Sequence, residues 1–232
     1  VHRRQFMGLG ALAVAATLAL GSALPSFAQE TSALETIKAS GKLRVGVTSA
    51  EPWFSKDPIS EEWTGVGVSM GKRLAEALGV EMVPVETSWT NSVAALQANQ
   101  MDIMFVLDPT EERRKALDFP EAPLFYYAMG ALVAEDYAPT SWAEIDKAGT
   151  RIGVTLGTSV DKNVTALAKS AEIVRFSNND EAVAAFAARR VDVVAQFHPA
   201  LIVQYSRVRQ GKVILPTPVT PVATSAGLAK AQ

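Results

Sequence analysis

The chain contains two copies of one short pattern, and this repeat constrains its fold more than any other feature. Residues 44–48 read RVGVT and residues 151–155 read RIGVT. Each copy is followed downstream by an alanine-rich helical segment, a turn, and an Asp (Asp102 or Asp192) that opens an apolar strand. A chain that builds one α/β unit and then repeats it is expected to form two lobes with a ligand cleft between them.

Strands alternate with helices in both halves of the sequence, which predicts an α/β fold with a mostly parallel, helix-flanked sheet in each lobe. The predicted boundaries are 29–135 for lobe 1, 136–220 for lobe 2, and 221–232 for a segment that returns to lobe 1. We expect the hinge strands near 131–135 and 218–223. Ligands bind beyond the carboxyl ends of parallel strands, so the residues directly after strands are the candidates for the site.

The first 28 residues are predicted to be an export signal rather than part of the fold. Arg3 and Arg4 precede an apolar Gly/Ala/Leu run, and the segment closes with Ser26-Phe27-Ala28. A basic start, an apolar centre and a small-x-Ala ending are typical of a signal peptide cleaved after Ala28. The adjacent arginines, with Phe6 two places on, also resemble a twin-arginine signal. Export would place the mature protein in the periplasm.

Composition and charge exclude several kinds of partner. Removing residues 1–28 takes away two arginines and no acid, so the formal net charge changes from −2 to −4. Neither this charge nor the distribution of basic residues suits a nucleic-acid partner. The chain has no cysteine and only two histidines, which leaves almost nothing from which to build a zinc or haem site. We therefore expect no cofactor and no metal.

Arg113 is the strongest single candidate for ligand binding. It is predicted to lie in the first turn of a helix directly after a strand. There, free backbone N–H groups and a guanidinium can together hold a carboxylate. From spacing alone, the alternative is an exposed member of the charged run 111–115.

An ordered set of motifs resembles the amino-acid-type solute-binding proteins of bacterial ABC importers (solute-binding protein family 3). The set comprises LRVGVT, Pro52-Trp53, Gly65 before a helix that ends in Leu78-Gly79, Ala95-Leu96 before Asp102, Thr110-x-x-Arg113 with Asp118-Phe119, and Ile152-Gly153-Val154 followed by Gly157-Thr158. The resemblance implies a monomeric periplasmic binding protein that closes around a small ligand and delivers it to a membrane permease, without catalysis. Family members usually continue for a few dozen residues beyond the return segment, so a truncated C-terminus is expected.

The resemblance also assigns roles to individual positions. Arg113 matches the arginine that clamps the ligand's α-carboxylate, and Thr158 matches a residue that donates to the same carboxylate from lobe 2. Trp89 matches the aromatic residue that covers the ligand's side chain. The alternatives are a core role for Trp89 and a helix-cap role for Thr158. Trp53, after the first strand, either lines the cleft or covers the lobe.

Two departures from the family pattern leave the charge of the ligand open. The strand after Asp192 usually ends in an Asp that pairs with the ligand's ammonium group, whereas this chain has Gln196 there. An amide cannot neutralise a buried charge. Asp108 stands where the family usually has Ser or Thr. Either Asp108 replaces the missing acid and the ligand is an amino acid or another cation, or Asp108 is held by Arg113 or Arg114 and the ligand is neutral or acidic. The second interpretation is favoured.

Two other functions are possible on the same scaffold. The stretch Thr87-Ser88-Trp89-x-Asn91 resembles one in periplasmic cyclohexadienyl dehydratases. Such an enzyme needs a carboxylic acid that protonates a leaving hydroxyl, and Asp108 is the candidate. A receptor module that passes its ligand signal to a membrane kinase is a further alternative, which the sequence does not separate from transport.

Overall fold

A computed structural model describes residues 32–230, and the predicted signal peptide lies outside this range. Helices and strands alternate along the described chain. The helices are α1 (Ala33–Ser40), α2 (Val66–Leu78), α3 (Ser92–Gln97), α4 (Glu111–Ala116), α5 (Trp142–Ile145), α6 (Ser159–Leu167), α7 (Asn179–Ala187) and α8 (His198–Val208). The strands are β1 (Lys42–Val47), β2 (Ser55–Lys56), β3 (Trp63–Thr64), β4 (Glu81–Glu86), β5 (Ile103–Leu107), β6 (Leu117–Asp118), β7 (Phe125–Val133), β8 (Arg151–Thr155), β9 (Glu172–Phe176), β10 (Val193–Phe197), β11 (Lys212–Ile214) and β12 (Pro221–Ala229). None of the helices between residues 32 and 230 has the length and apolar character needed to cross a membrane.

Two parallel groups of strands are joined by antiparallel strands, which makes the fold two-lobed. The strand order is β4-β1-β5-β12-β7-β10-β8-β9, with β6 against β12 and β11 against β7. In lobe 1, β1 pairs in parallel with β4 and β5. In lobe 2, β8 pairs in parallel with β9 and β10. A large buried apolar cluster includes residues of both lobes, and a smaller one packs around α7. The arrangement agrees with the fold that the sequence repeat predicts.

Two long strands, β7 and β12, pass between the lobes. Along β7 the partner changes from β12 to β10 between residues 128 and 129, and along β12 it changes from β7 to β5 between residues 224 and 225. On β7 this change comes before the predicted hinge at 131–135, because residues 131–133 already pair with β10. Such pairing joins distant segments, so no local pattern reveals it. The lobe boundaries at 135 and 220 stay predictions.

Side-chain caps that are visible in the sequence explain where five helices begin. Each capping side chain accepts a hydrogen bond from the backbone N–H three residues further on, which satisfies one of the unpaired donors of the first turn. The caps are Ser32, Thr110, Ser141, Thr158 and Asn178. Those of α4 and α6 matter most for function, since both helices begin directly after a strand at the cleft.

The sequence repeat corresponds to one contact that both lobes make. In lobe 1 the Arg44 backbone N–H donates to Asp102 Oδ2 at 2.7 Å, and the guanidinium donates to the same carboxylate. In lobe 2 the Arg151 backbone N–H donates to Asp192 Oδ2 at 2.8 Å, again with the guanidinium on the carboxylate. Each arginine also donates to a backbone carbonyl in the turn before the aspartate. These contacts lie at the amino ends of β1 and β8, opposite the cleft.

The glycine inside each copy of the repeat makes room for the residue that precedes the aspartate. A Cβ at Gly46 would lie 2.4 Å from Met101 Sδ, and a Cβ at Gly153 would lie 3.2 Å from Val191 Cγ2. Both distances are shorter than ordinary carbon contacts. The repeated residues therefore serve packing and pairing within each lobe.

Candidate functional site

The six residues selected from the sequence line one cavity between the lobes. The empty space that they surround, including the part open to solvent, is about 360 Å³. The lining residues are Trp53, Trp89, Val106, Asp108, Arg113, Tyr127, Thr158, Ser159, Asn179, Gln196 and Phe197. Most of them lie at or after the carboxyl ends of β1, β4, β5, β8, β9 and β10, and Tyr127 comes from β7. This is the position expected for a ligand site in parallel sheets.

Arg113 is buried and contacts both lobes at the cavity. The residue is 8% exposed and lies in the first turn of α4, where its backbone N–H donates to the hydroxyl of Thr110. Its Nη1 donates to the backbone carbonyl of Asp108 at 3.1 Å, and its Nη2 donates to the carbonyl of Gly157, in lobe 2, at 3.1 Å. Burial lowers the pKa of Arg113, and the charge of Asp108 opposes this shift. A guanidinium has five N–H donors, so donors are left for a ligand.

Asp108 is held by two hydroxyl groups. The Tyr127 hydroxyl donates to Oδ1 and the Ser159 hydroxyl donates to Oδ2. Ser159 opens α6 in lobe 2, so this carboxyl group also joins the lobes. Burial raises the pKa of Asp108, while the hydrogen bonds from Ser159 and Tyr127 and the charge of Arg113 act in the opposite direction. Burial and the nearby Asp108 raise the pKa of Tyr127 well above its ordinary value, so its hydroxyl stays protonated and can donate.

In the interpretation that the sequence favours, the side chain of Arg113 or Arg114 holds Asp108, and the observed contacts are different. Arg113 reaches the backbone carbonyl of Asp108 rather than its carboxyl group. Arg114 Nε donates to the carbonyl of Pro109 at 3.1 Å on the exposed side of α4. The carboxyl oxygens of Asp108 instead accept from the hydroxyls of Tyr127 and Ser159, which belong to a strand and a helix remote from Asp108 in sequence.

A chain of hydrogen bonds orients two amide side chains on lobe 2. The Phe197 backbone N–H donates to Gln196 Oε1 at 2.7 Å, and Gln196 Nε2 donates to Asn179 Oδ1 at 2.8 Å. Thr155 Oγ1 donates to the same Asn179 oxygen at 2.6 Å. A backbone N–H can only donate, so this contact identifies the oxygen of Gln196 and, through it, the oxygen of Asn179. Asn179 Nδ2 makes no hydrogen bond with any residue between 32 and 230.

The hydroxyl of Thr158 is used as a helix cap, and its neighbour supplies the group that reaches across the cleft. Thr158 Oγ1 donates to the carbonyl of Thr155 at 2.7 Å and accepts from the Asp161 backbone N–H at 3.1 Å. Ser159, which the sequence analysis missed, donates to Asp108 instead. Its position at a helix start, directly after the candidate residue Thr158, could have identified Ser159 as a cleft residue.

Aromatic rings form one wall of the cavity. Tyr127 stacks on Phe197 with ring centroids 3.7 Å apart, and Trp53 lies 5.6 Å from Tyr127. Trp89 packs at 6.2 Å from the fully buried Phe54. Both tryptophans therefore line the cavity and pack on other aromatic rings, and the contact of Trp89 with a ligand's side chain stays a prediction. Tyr127 was missed because only the pairing of β7 with β12 and β10 brings it to the cleft.

Metal-ligating residues do not cluster in the part of the chain that the structure describes. Between residues 32 and 230 there is no group of three or more His, Cys, Asp or Glu side chains that could hold a metal ion. The chemistry of the cavity therefore rests on Arg113, the Asp108 carboxyl group, hydroxyls, amides and aromatic rings.

Comparison with known proteins gives a consistent picture. A model of the family described as bacterial extracellular solute-binding proteins, family 3, matches residues 43–171. The L-cystine-binding protein TcyJ of Escherichia coli (strain K12) is 32% identical over 161 residues, which cover 69% of this chain and 58% of that protein. The cyclohexadienyl dehydratase of Pseudomonas aeruginosa is 33% identical over 169 residues, which cover 71% of this chain and 62% of the enzyme. The matches thus span about three fifths of the length of these relatives.

Among solved structures, the ancestral amino acid-binding protein AncCDT-1, a precursor of cyclohexadienyl dehydratase, has the same fold. The TM-score is 0.79 at 29% identity, and the superposition covers 86% of this chain and 87% of that one. The same architecture therefore occurs in a protein described as binding an amino acid and as the precursor of an enzyme.

Proposed function

Because the chain belongs to family 3 of the bacterial extracellular solute-binding proteins, we propose that it captures a small carboxylate-bearing metabolite between its lobes. The observation that carries this proposal is the buried guanidinium of Arg113. It lines the cavity, contacts one carbonyl from each lobe, and retains N–H donors for a ligand. A charged, planar donor in a site with aromatic walls favours a carboxylate attached to an organic body.

The closed arrangement supports a capture mechanism. Hydrogen bonds cross the cleft from Ser159 to Asp108, from Arg113 to the carbonyl of Gly157, and from Thr90 to the carbonyl of Leu156 at 3.3 Å. A ligand that contacts both lobes would stabilise this state over an open one. We propose that the exported, monomeric protein closes on its ligand in the periplasm and presents the closed shape to the permease of an ABC importer.

The proposal is tested by removing the guanidinium from the cavity. A panel of small mono- and dicarboxylates and α-amino acids is screened by thermal shift, and the hits are measured by calorimetry. A ligand at a hundred times its Kd adds about 2.7 kcal/mol to the unfolding free energy. Arg113→Ala removes charged hydrogen bonds worth about 1.5–3 kcal/mol, so affinity is expected to fall at least about tenfold.

Arg114→Ala is the matched control, because Arg114 is the next residue on α4 but is exposed and does not line the cavity. It should leave affinity unchanged. If Arg113→Ala binds every hit as tightly as the wild type does, carboxylate capture by this residue is refuted.

A second candidate function is a dehydratase, which the identity with cyclohexadienyl dehydratase and the position of Asp108 favour. Asp108 is 4% exposed in the cavity, and burial raises its pKa. Such a carboxyl group can protonate a leaving hydroxyl. The test is incubation with a cyclohexadienol carboxylate, whose loss of the hydroxyl as water and of the ring carboxylate as carbon dioxide would form an aromatic ring with a new ultraviolet absorption. A binding protein gives no change. Turnover that Asp108→Asn abolishes would establish the enzyme.

A further inference from the structure

We propose that lobe 2 recognises a hydrogen-bond acceptor at the second carbon of the ligand, so that the protein prefers 2-oxo carboxylates to the corresponding α-amino acids. This inference rests on the proposed capture of a carboxylate and specifies its substrate class. The residue that determines the preference is Asn179, which is oriented by Gln196.

The side-chain amides of Gln196 and Asn179 each have a fixed orientation. The obligatory donor is the Phe197 backbone N–H, and it points to Gln196 Oε1. Gln196 Nε2 must then face Asn179, and Asn179 must accept with its oxygen. Thr155 adds a second donor to that oxygen. The amide nitrogen of Asn179 is therefore turned away from these partners.

The amide nitrogen of Asn179 is an unused donor at the cavity. Asn179 is 5% exposed, it lines the cavity, and its Nδ2 has no hydrogen-bond partner among residues 32–230. This nitrogen is not one of the fully buried unpaired polar atoms between residues 32 and 230, which are Gln204 Oε1, Thr224 Oγ1 and Ser225 Oγ, so it stays accessible from the cavity. An acceptor oxygen on a ligand would satisfy the two N–H groups of this amide.

An ammonium group would find no carboxylate among the lobe 2 residues that line the cavity. The oxygen of Asn179 already accepts twice, and the oxygen of Gln196, which accepts once from the Phe197 N–H, belongs to a neutral amide that cannot neutralise a charge. A buried ammonium opposite an amide N–H group would be desolvated and unpaired, which is costly. A keto oxygen at the same place would accept from Asn179.

Asp108 is poorly placed to serve as the counter-ion of a ligand's ammonium group. Each of its carboxyl oxygens already accepts from a hydroxyl, that of Tyr127 or that of Ser159. The positive charge of Arg113 lies beside it and already offsets its charge. Burial also raises the pKa of Asp108, which weakens it as the counter-ion of a cation.

The test compares ligands that differ only in the group at the second carbon. The full chain is titrated in a calorimeter with phenylpyruvate and L-phenylalanine, with 4-methyl-2-oxopentanoate and L-leucine, and with 2-oxoglutarate and L-glutamate. We expect the 2-oxo member of at least one pair to bind at least about tenfold more tightly than its amino acid, the factor that one hydrogen bond of about 1.4 kcal/mol provides. If the amino acid binds as tightly or more tightly in every pair that binds, the inference is overturned.

Asn179→Asp reverses the polarity of the site without a change of shape. The oxygen that faces Gln196 and Thr155 is kept, while the donor that faces the cavity becomes an acceptor. The ratio of amino-acid to 2-oxo-acid affinity should rise at least about tenfold, by the same hydrogen-bond arithmetic. Asn178→Asp is the matched control, because it makes the same charge change at the neighbouring helix cap, where Asp is an equally good residue. It should leave the ratio unchanged, and an equal change in both variants would overturn the inference.

Gln196→Glu is a second variant in case Asn179→Asp does not fold. It replaces one of the two donors to Asn179 Oδ1 by an acceptor, and the Thr155 hydroxyl can either donate or accept, so the Asn179 amide can turn and present its oxygen to the cavity. The same direction of change is expected, and an unchanged ratio contradicts the inference.

Arg113→Ala separates this inference from the function on which it rests. Amino acids that bind preferentially and are lost in Arg113→Ala would uphold carboxylate capture and refute the preference for 2-oxo acids. If no member of any pair binds to the wild type, the preference for 2-oxo acids is overturned, while carboxylate capture is decided by the broader panel and its Arg113→Ala variant.

Discussion

The two lobes are alike at one end of their sheets and different at the other. At the amino ends, Arg44–Asp102 in lobe 1 and Arg151–Asp192 in lobe 2 make the same hydrogen bonds. At the carboxyl ends, lobe 1 contributes the titratable carboxyl group of Asp108, whereas lobe 2 contributes the neutral amide of Gln196. The repeat is preserved where it holds each lobe together, and it has diverged where the two lobes meet around the cavity.

We expect the likeness at the amino ends to be geometric and not energetic, because the two pairs differ in exposure. The Asp102 side chain is 13% exposed, while the Asp192 side chain is 43% exposed, although the two arginine side chains are equally exposed at 37%. The arginine hydrogen bonds lower the pKa of Asp192. Water competes more with the lobe 2 pair, so the same contacts should stabilise lobe 2 less.

Replacing each aspartate by alanine measures this inequality and has the largest expected effect. Asp102→Ala leaves the less exposed Arg44 backbone N–H and guanidinium without their carboxylate, which should lower the unfolding free energy by about 2–3 kcal/mol. Asp192→Ala removes a more hydrated pair and should cost about 1 kcal/mol. Urea unfolding of both variants checks the prediction. Equal losses would mean that the two lobes are energetically as well as geometrically alike.

The pH dependence of stability sharpens the contrast at the carboxyl ends. Burial raises the folded-state pKa of Asp108 above its ordinary value of 3.8, so the folded protein holds more protons than the unfolded chain between those two pKa values. The stability that the neutral carboxyl group contributes is present below the unfolded value and is lost as the pH rises through the folded value. Relative to Asp108→Asn, the wild type should therefore lose stability with rising pH, by at most about 1.4 kcal/mol per pH unit.

Urea unfolding of wild type and Asp108→Asn over the same pH series provides the measurement. All other titrating groups occur in both proteins, so the difference between the two isolates Asp108. If the wild type instead gains stability relative to Asp108→Asn as the pH rises, the charge of Arg113 and the hydroxyl hydrogen bonds outweigh the effect of burial on the pKa of Asp108. Gln196→Ala, at the corresponding strand end of lobe 2, changes no titrating group. The difference in unfolding free energy between this variant and the wild type should therefore not depend on pH.

The helix caps at the cleft should give the smallest and most equal effects. Thr110 caps α4 of lobe 1 through the Arg113 backbone N–H at 3.2 Å, and Thr158 caps α6 of lobe 2 through the Asp161 N–H at 3.1 Å. Thr110→Ala and Thr158→Ala should each cost about 1 kcal/mol, while the serine variants should retain most of the stability. Thermal unfolding of the four variants tests this. A clearly larger loss for one alanine variant would show that its threonine does more than cap a helix.

Much of the fold could be predicted from the sequence, because the signals for it are local. The helix-cap role considered for Thr158 and the alternating strands and helices each depend on neighbouring residues. Because the repeat places the same local signals in both halves of the chain, it also predicted two lobes. The point at which β7 changes partner could not be predicted, because strand pairing across the lobes has no local signature.

The membership of the site was also largely predictable, while its hydrogen bonding was not. Because carboxyl ends of parallel strands meet at one edge, Asp108, Arg113, Thr158 and Gln196 were expected near one another, and they line one cavity. Ser159, which lies 51 residues from Asp108, could not be identified as its partner from spacing. Hydrogen bonds between remote side chains depend on distances of a few tenths of an ångström, which only the packed structure sets.

The sequence by itself therefore determined the order of elements, the two lobes, and the residue types available at the cleft, since each follows from short-range periodicity, capping and the repeat. The tertiary structure alone decided which polar atoms are already used and which remain free. Asp108 became a partner of two hydroxyls, and Asn179 kept an unused donor, because folding brought distant backbone and side-chain groups into contact and satisfied them first. What the folded chain leaves unsatisfied at the cavity is what a ligand has to supply.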